Sequence, residues 1–296
     1  MNTKPLDPAW DDSNVTYCGA IDAWECDQMQ HMNIQFFARR ISSAERYMLS
    51  GFGLSTSLSG LGHKVRAGTE HMIFKREVRA GAPVLIESVP LGFKSNDGLG
   101  IEHRLYNQQS GDIAATARVE YSLVNRDNSR VAWPSSVIEQ IDATPPSDSP
   151  VGEPIASDDA GLKECGRYIV SESDCDAGEA RRDLLVRLAN HAGSHVGLEH
   201  GRQWDGRGGL LIGSATLDLK IVRVAPIVPE MALHVMSSLR LGGRKTVAVL
   251  HRIVEAASGK IVANVRTVNV FFDVASRKAV AVPAATLEHI HRPATA

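Results

Sequence analysis

The chain has 296 residues, a length that fits two domains of ordinary size better than one. Its 32 basic and 34 acidic residues leave a formal net charge of −2, which excludes a broad basic surface for nucleic acid or anionic lipid. No apolar run approaches the roughly 20 residues that a membrane-spanning helix needs, and the polar start MNTKPLDPAWDD contains no signal segment, so we expect a soluble cytoplasmic protein.

The first half of the chain predicts one long helix followed by strands. The stretch WECDQMQHMN, Trp24–Asn33, brings an acid, a histidine and an amide together just before that helix. The helix itself is marked by an apolar stripe at helical spacing, formed by Ile34, Phe37, Ile41, Ala44 and Met48. Segments rich in β-forming residues follow, separated by the turn signals SNDG and QSGD, at residues 74–80, 84–91, 101–107 and 113–125.

A linker and a second helix with strands complete the chain. The polar stretch DATPPSDSPVGEPIASDDAG, which begins at Asp142, is typical of a linker. A second apolar stripe follows, formed by Leu185, Ala189, Ala192 and Val196, and then strands near residues 215–224, 231–241, 246–255 and 261–274. We therefore predict an N-terminal domain at residues 1–142, a linker at 143–161 and a C-terminal domain at 162–296.

The two halves are similar in sequence. The pair HR at His103 recurs 148 residues later at His251, and the pair SG at Ser110 recurs at the same distance at Ser258. Further on, WPSSVIEQI matches VPAATLEHI at an offset of 149, which indicates duplication of the whole half. Because a helix with one apolar stripe needs a sheet to cover it, we expect an α+β fold in which each copy is a long helix wrapped by an antiparallel sheet.

The stretch before the first helix resembles the motif of the 4-hydroxybenzoyl-CoA thioesterase-like superfamily, whose members have the hot dog fold. That motif runs D-x-x-G-H-V-N-N-x-x-Y. The acid, the histidine and the first asparagine are matched by Asp27, His31 and Asn33. The glycine, the second asparagine and the tyrosine are replaced by Gln30, Ile34 and Phe37. The segment FKREVRAGAPVLIESV also looks like the family's strand, turn and next strand.

The resemblance implies a double hot dog. Family members usually pair so that the acid-bearing loop of one hot dog faces a wall supplied by the other, and two copies in one chain would form this pair as an intrachain pseudo-dimer. At an offset of 148, the three motif residues correspond to Cys175, Glu179 and Arg181, so we expect one working site and one degenerate copy. Free sheet edges would also allow further pairing into a homo-oligomer.

The resemblance implies that the protein is an acyl-CoA thioesterase. A carboxylate just before a helix could act as general base or nucleophile, which is the role given to Asp27. The helix N-terminus carries unpaired N–H groups and a partial positive charge, so the Ile34 N–H would stabilise the oxyanion. Asn33 could position the attacking water, and His31 could orient the loop or touch the thioester. No cofactor is required, since coenzyme A is part of the substrate.

Other interpretations of the motif residues stay open. Asp27 could be a solvated loop acid, and Asn33 could be an ordinary N-cap, either instead of or together with a catalytic role. The same fold also carries out hydration or dehydration of acyl thioesters, but CDQMQHMN lacks the glycine and proline of the hydratase segment G-D-x-N-P-x-H. A non-catalytic acyl-CoA-binding module is the third alternative, because a fold does not fix a function.

Residues outside the motif complete the predicted site. We assign Asn190, His191 and Ser194 of the second helix to the opposite wall, and Arg76 and Arg79 to the coenzyme A phosphates. Solvated surface positions are the alternative for both arginines. His191 and His195 have a spacing that can ligate a metal, but no third ligand is evident, and the four cysteines contain no CxxC pair, so we predict no metal site.

Overall fold

The computed structural model describes residues 14–51, 62–94, 98–141, 155, 161–206 and 208–291, so most of the predicted linker, 143–161, lies outside the described residues. The chain divides into two compact units. The first unit contains Met1–Arg66 and Phe74–Asp148, and the second contains Ala67–Ile73 and Ser149–Ala296. None of the described helices is both long and apolar enough to cross a membrane.

The described residues of the first half form one long helix, one short helix and six strands. In chain order they are β1 (Val15–Ala20), α1 (Ile34–Gly51), β2 (Lys64–Phe74), β3 (Pro83–Lys94), β4 (Gly98–Asn107), β5 (Asp112–Val124), β6 (Arg130–Val131) and α2 (Ser135–Gln140). Within the first unit the antiparallel order is β1-β3-β4-β5, with β6 on β5. Helix α1 lies against β1, β3 and β4 and buries Phe37, Ile41, Ala44 and Met48, four of the five predicted stripe residues.

The second half repeats these elements. In chain order they are β7 (Lys163–Ile169), β8 (Cys175–Asp176), β9 (Glu179–Ala180), α3 (Arg182–His195), β10 (Gln203–Trp204), β11 (Leu210–Arg223), β12 (Ala232–Leu241), β13 (Thr246–Glu255), β14 (Ile261–Asp273) and α4 (Ala284–His291). The main sheet of the second unit has the order β7-β12-β13-β14-β11, and residues 69–73 of β2 pair with β11 at its end. Helix α3 lies against β7, β12, β13 and β14. Both units are thus α+β, with one long helix on an antiparallel sheet.

Loop contacts recur at equivalent positions in the two units. The Met32 N–H donates to the Val78 carbonyl at 2.8 Å, and the Ala180 N–H donates to the Ile227 carbonyl at 2.8 Å. The recurrence of a non-local hydrogen bond at the same place supports the duplication that the sequence indicates.

Most predicted strands are found within a few residues of their predicted bounds, with one clear error. Residues 74–80 were expected to form a strand, but β2 ends at Phe74 and the chain turns there. The N–H groups of Lys75 and Arg76 both donate to the carbonyl of Ala114, which a regular strand ladder does not allow, and Gly81 has a φ of +79°. Strands β1, β2 and β7 were also not predicted. The edge strands β1 and β7 are short and lack a continuous apolar run, and β2 covers residues at which the sequence predicted no strand before residue 74.

A buried serine–histidine pair lies at equivalent positions of the two sheets. The Ser88 hydroxyl and His103 Nδ1 are 2.7 Å apart in the first unit, and the Ser237 hydroxyl and His251 Nδ1 are 2.9 Å apart in the second. Burial lowers the pKa of His251 from 6.5 to about 3, because a charged imidazolium would lose its hydration there. Folding therefore keeps the His251 ring neutral at physiological pH.

We expect this histidine to make stability depend on pH. The pKa of His251 is lower in the folded protein than in the unfolded chain. The contribution of His251 to the free energy of unfolding is therefore fully present above pH 6.5 and is lost as the pH falls from 6.5 towards 3. The loss between pH 7 and pH 5 should be about 2 kcal/mol in the free energy of unfolding. Urea unfolding of the wild type and of His251→Gln at both pH values measures this difference. An equal pH dependence in the two proteins would contradict the prediction.

Candidate active site

The stretch Trp24–Asn33 forms a closed loop. A 3₁₀ turn, Ala23–Glu25, leads into Cys26, which pairs with Met32 across the loop. Inside this closure the Asp27 N–H donates to the His31 carbonyl at 2.8 Å, and the Gln30 N–H donates to the Asp27 carbonyl at 2.9 Å. The loop conformation is therefore fixed by its own backbone.

The Asp27 carboxylate is held by the loop it belongs to. Its Oδ1 accepts hydrogen bonds from the N–H groups of Met29 at 2.8 Å and His31 at 3.2 Å. The side chain is exposed, and among the described residues no donor reaches Oδ2. One oxygen is thus oriented by the backbone, while the other can meet a substrate or a water molecule.

Gln30 adopts a conformation that explains the family's glycine. Its φ is +62°, in the left-handed region that side chains with a Cβ rarely occupy. In the second unit Ala177 and Gly178 turn the corresponding loop with φ of +48° and +78°. The sequence difference at Gln30 therefore leaves the backbone shape of the motif intact at some cost in local strain.

His31 is buried between the loop and the segment that follows β2. Its backbone pairs with that of Arg79, and its Nε2 lies 3.2 Å from Oε2 of Glu77. His31 is 7% exposed, whereas Arg79 is exposed at the surface beside it. The structure thus brings together three residues that the sequence assigned to one site: Asp27, His31 and Arg79.

Asn33 is the N-cap of α1. Its side-chain Oδ1 accepts the N–H of Gln35 at 3.1 Å, and its carbonyl accepts the N–H of Phe36 at 2.9 Å. The next residue, Ile34, begins the helix, and its N–H has no hydrogen-bond acceptor among the described residues. A donor with the positive end of the helix dipole behind it therefore lies directly after the Asp27 loop.

The loop is fixed to α1 by a buried ion pair that sequence inspection missed. Arg40 donates from Nη1 to Oε1 of Glu25 at 2.7 Å and from Nη2 to Oε2 at 2.5 Å. Burial by itself would raise the pKa of Glu25, but Arg40 and the Asp22 N–H hold that pKa below its usual value. A similar pair, Asp174 and Arg187, holds the loop of the second unit, but Arg187 corresponds in sequence to Arg39 and not to Arg40, so aligning the two copies would not have pointed to it.

The corresponding loop of the second unit keeps the backbone and changes the side chains. Cys175 pairs with Ala180 as Cys26 pairs with Met32, so Asp176 takes the place of Asp27. This corrects the sequence offset, which placed Cys175 there; the second loop is one residue shorter. Glu179 and Arg181 replace the histidine and the amide, as expected.

Arg181 closes that second loop. Its guanidinium donates to the carboxylate of Asp183 at 3.0 and 3.3 Å, and to the carbonyls of Ser173 at 2.6 Å and Cys175 at 3.2 Å. A cation that binds the loop carbonyls in this way fixes the loop but supplies neither an imidazole nor an amide.

The other predicted site residues are exposed. Arg76 lies at the surface of the first unit, and Asn190, His191 and Ser194 lie on the exposed face of α3, where Ser194 donates to Glu199 at 3.2 Å. The roles in phosphate binding and in the opposite wall stay predictions. In the part of the chain that the structure describes, no group of three or more His, Cys, Asp or Glu side chains is placed to hold a metal ion.

The loop and α1 lie within a stretch of the chain that matches a known protein family. Residues 21–141 match the family model described as the thioesterase-like superfamily. The match includes the Asp27 loop and α1 and confirms the resemblance that the motif indicated. No curated protein sequence matches the chain significantly.

Solved structures share the fold over most of the chain. A protein assigned as an oleoyl thioesterase from Lactobacillus plantarum aligns with a TM-score of 0.69 at 12% identity, covering 86% of this chain and 94% of that one. The 12:0-ACP thioesterase from Umbellularia californica aligns at 0.67 with 13% identity, covering 85% and 95%. An acyl-ACP thioesterase from Bacteroides thetaiotaomicron aligns at 0.64 with 10% identity, covering 86% and 96%. At these identities the likeness shows the fold alone.

We expect Gln30→Gly to stabilise the protein. Glycine occupies φ of +62° without a Cβ clash, which outweighs its greater freedom in the unfolded chain and should add about 0.5–1 kcal/mol to the free energy of unfolding. Urea unfolding measures the change, and Ala177→Gly at the corresponding turn is the matched variant, expected to shift in the same direction. Destabilisation by Gln30→Gly would show that the left-handed conformation is wrong.

Proposed function

We propose that the protein is an acyl-CoA thioesterase in which Asp27 acts as general base or nucleophile. The observation that carries this proposal is the joint arrangement of the Asp27 carboxylate and the α1 N-terminus. Asp27 is oriented by loop N–H groups, and the same loop runs directly into Asn33 and the N–H of Ile34, for which the described part of the chain supplies no acceptor. A carboxylate next to a preorganised N–H donor is the pair that acyl transfer from a thioester requires.

In the general-base form of the reaction, Asp27 takes a proton from a water molecule as the water oxygen attacks the thioester carbonyl carbon. The negative charge that develops on the carbonyl oxygen is stabilised by the Ile34 N–H and the helix dipole. The carbon–sulfur bond then breaks, the thiolate of coenzyme A takes the proton from Asp27, and the free acid leaves. In the nucleophilic form, Asp27 attacks the carbonyl carbon itself and the carbon–sulfur bond breaks, which releases the coenzyme A thiolate and leaves an anhydride. Water then hydrolyses the anhydride to the free acid, restores the Asp27 carboxylate and supplies the proton that the thiolate takes up.

The neighbouring polar residues have supporting roles in this proposal. His31 donates its N–H to Asp27 and so orients the carboxylate, while the side-chain amide of Asn33 caps α1 and holds the attacking water. The exposed Arg76 and Arg79 bind the coenzyme A phosphates, because a planar guanidinium pairs well with phosphate oxygens. The reaction requires no metal and no organic cofactor.

We further propose that the chain is a tandem of two hot dog domains with one working site. The recurring element order supports this, as does alignment over 85–86% of the chain with thioesterases whose own chains are covered to 94–96%. Only the first copy combines an acid, a histidine and an amide. The intrachain pseudo-dimer and the wall formed by Asn190, His191 and Ser194 remain part of this proposal.

The acyl carrier and the type of reaction each have an alternative within the proposal. Two of the aligned structures are named as thioesterases acting on acyl carrier protein, so the thiol could be carried by a protein instead of coenzyme A. Hydration of an acyl thioester and simple acyl-CoA binding are the alternatives in reaction type.

The test compares Asp27→Asn with Asp176→Asn, which makes the same change at the same loop position of the other unit. Thiol release is measured from a panel of acyl-CoAs of different chain length and from matched acyl carrier protein substrates. We expect Asp27→Asn to lower kcat by about 10²–10⁴-fold, since general-base catalysis contributes that much, and Asp176→Asn to stay close to the wild type.

Each contrary result has a definite meaning. Full activity of Asp27→Asn would overturn the assignment of Asp27. If the wild type binds coenzyme A but releases no thiol, the protein is an acyl-CoA-binding module and not a hydrolase. If thiol is released from the carrier protein substrates alone, the acyl carrier is a protein and not coenzyme A.

A further inference from the structure

The buried pair of Arg40 and Glu25 lies where the catalytic loop meets the helix that follows it. Glu25 is the last residue of the 3₁₀ turn that precedes the loop. Its carbonyl accepts the N–H of Asn33 at 2.9 Å, and this hydrogen bond closes the loop at its base. Its carboxylate accepts both nitrogens of Arg40 and the N–H of Asp22. One residue therefore links the start of the loop, the end of the loop and α1.

Arg40 extends this link to the first strand. Its Nη2 also donates to the carbonyl of Ala20, the last residue of β1, at 2.9 Å, and its guanidinium lies 5.9 Å from the ring centre of Tyr17. Because Arg40 belongs to α1, movement of the guanidinium would change the position of the loop relative to the helix. That relative position sets where the Asp27 carboxylate lies with respect to the Ile34 N–H.

The second unit contains an analogous, looser pair, in which the acid is at the equivalent place and the arginine is one position earlier on its helix. Arg187 donates from Nη2 to Asp174 at 2.7 Å and to the hydroxyl of Tyr168 at 2.6 Å. Its side chain is 33% exposed, whereas that of Arg40 is 6% exposed and bidentate. The buried, bidentate ion pair is thus found in the first unit, whose loop has the acid, the histidine and the amide. The more exposed ion pair is found in the second unit, whose loop lacks the histidine and the amide.

We infer that Arg40 and Glu25 are positioning residues for catalysis, which hold the Asp27 loop in register with the oxyanion donor at the start of α1. This inference rests on the proposed function. It predicts that weakening the pair in the first unit lowers the rate of the chemical step, whereas weakening its counterpart in the second unit lowers stability alone.

The test compares Arg40→Lys with Arg187→Lys. Lysine keeps the positive charge but cannot bind a carboxylate through two parallel nitrogens. For Arg40→Lys we expect kcat to fall at least tenfold with KM within about threefold, because a misplaced catalytic group affects the transition state more than substrate binding. For Arg187→Lys we expect kcat within about twofold of the wild type, and the thermal unfolding midpoints of both variants show how much each change costs in stability.

Glu25→Gln and Asp174→Asn form a second matched pair, which decides the question if Arg40→Lys does not fold. An equal loss of kcat in the variants of both units, or no loss in either Arg40→Lys or Glu25→Gln, overturns the positioning role. Asp27→Asn is measured alongside these variants. If Asp27→Asn keeps full activity, the proposed function fails. If Asp27→Asn is inactive but the variants of the two units lose kcat equally, only the positioning role of Arg40 and Glu25 fails.

Discussion

The Arg40–Glu25 ion pair is the interaction on which the arrangement of the loop and the helix depends. Both side chains are buried, so their separation from water is costly, and this cost is offset by the hydrogen bonds of both Glu25 carboxylate oxygens and of the two terminal nitrogens of Arg40. Removing one partner of such a pair typically costs about 3–5 kcal/mol, since the other charge is left buried and unpaired. The loop that carries Asp27 is therefore not free to move away from α1 while the unit is folded.

Similarity between the two units extends to an acid–arginine pair in each, although the two arginines are one helix position apart in the alignment. The backbone hydrogen bonds, the acid–arginine pair and the serine–histidine pair of the sheet are all present in both units. What differs is the set of side chains on the loop, where Glu179 and Arg181 stand in place of His31 and Asn33. Contacts that hold the fold together are kept because their loss would unfold the unit, whereas a duplicated site can lose polar groups at little cost in stability.

Substitutions that depart from the family motif have local physical explanations. Gln30 stands where the family has glycine, and it occupies the left-handed backbone region that makes glycine favourable there. Ile34 replaces an asparagine, but the capping oxygen comes from Asn33 and the N–H of Ile34 belongs to the backbone. Changes at these two positions therefore leave the loop shape and the helix N-terminus in place.

Sequence reasoning was most successful where the signal is periodic or repeated. The apolar stripe of α1 and the strands β3, β4 and β5 follow from local patterns, because burial on one face imposes a spacing that can be read along the chain. The strand predicted at residues 74–80 was wrong, since Lys75 and Arg76 share one carbonyl acceptor that belongs to a distant strand. Short edge strands were missed because their stability comes from pairing with neighbours and not from their own composition.

By itself, the sequence determined the duplication, the helix-on-sheet character of each half, and the grouping of Asp27, His31 and Asn33 before the first helix. The tertiary structure alone decided that Asp176, and not Cys175, corresponds to Asp27, and that Glu25 and Arg40 join the loop to the helix. The physical reason is that these features depend on contacts between residues distant along the chain: a loop one residue shorter changes the register, and an arginine 15 residues from its carboxylate gives no periodic signal.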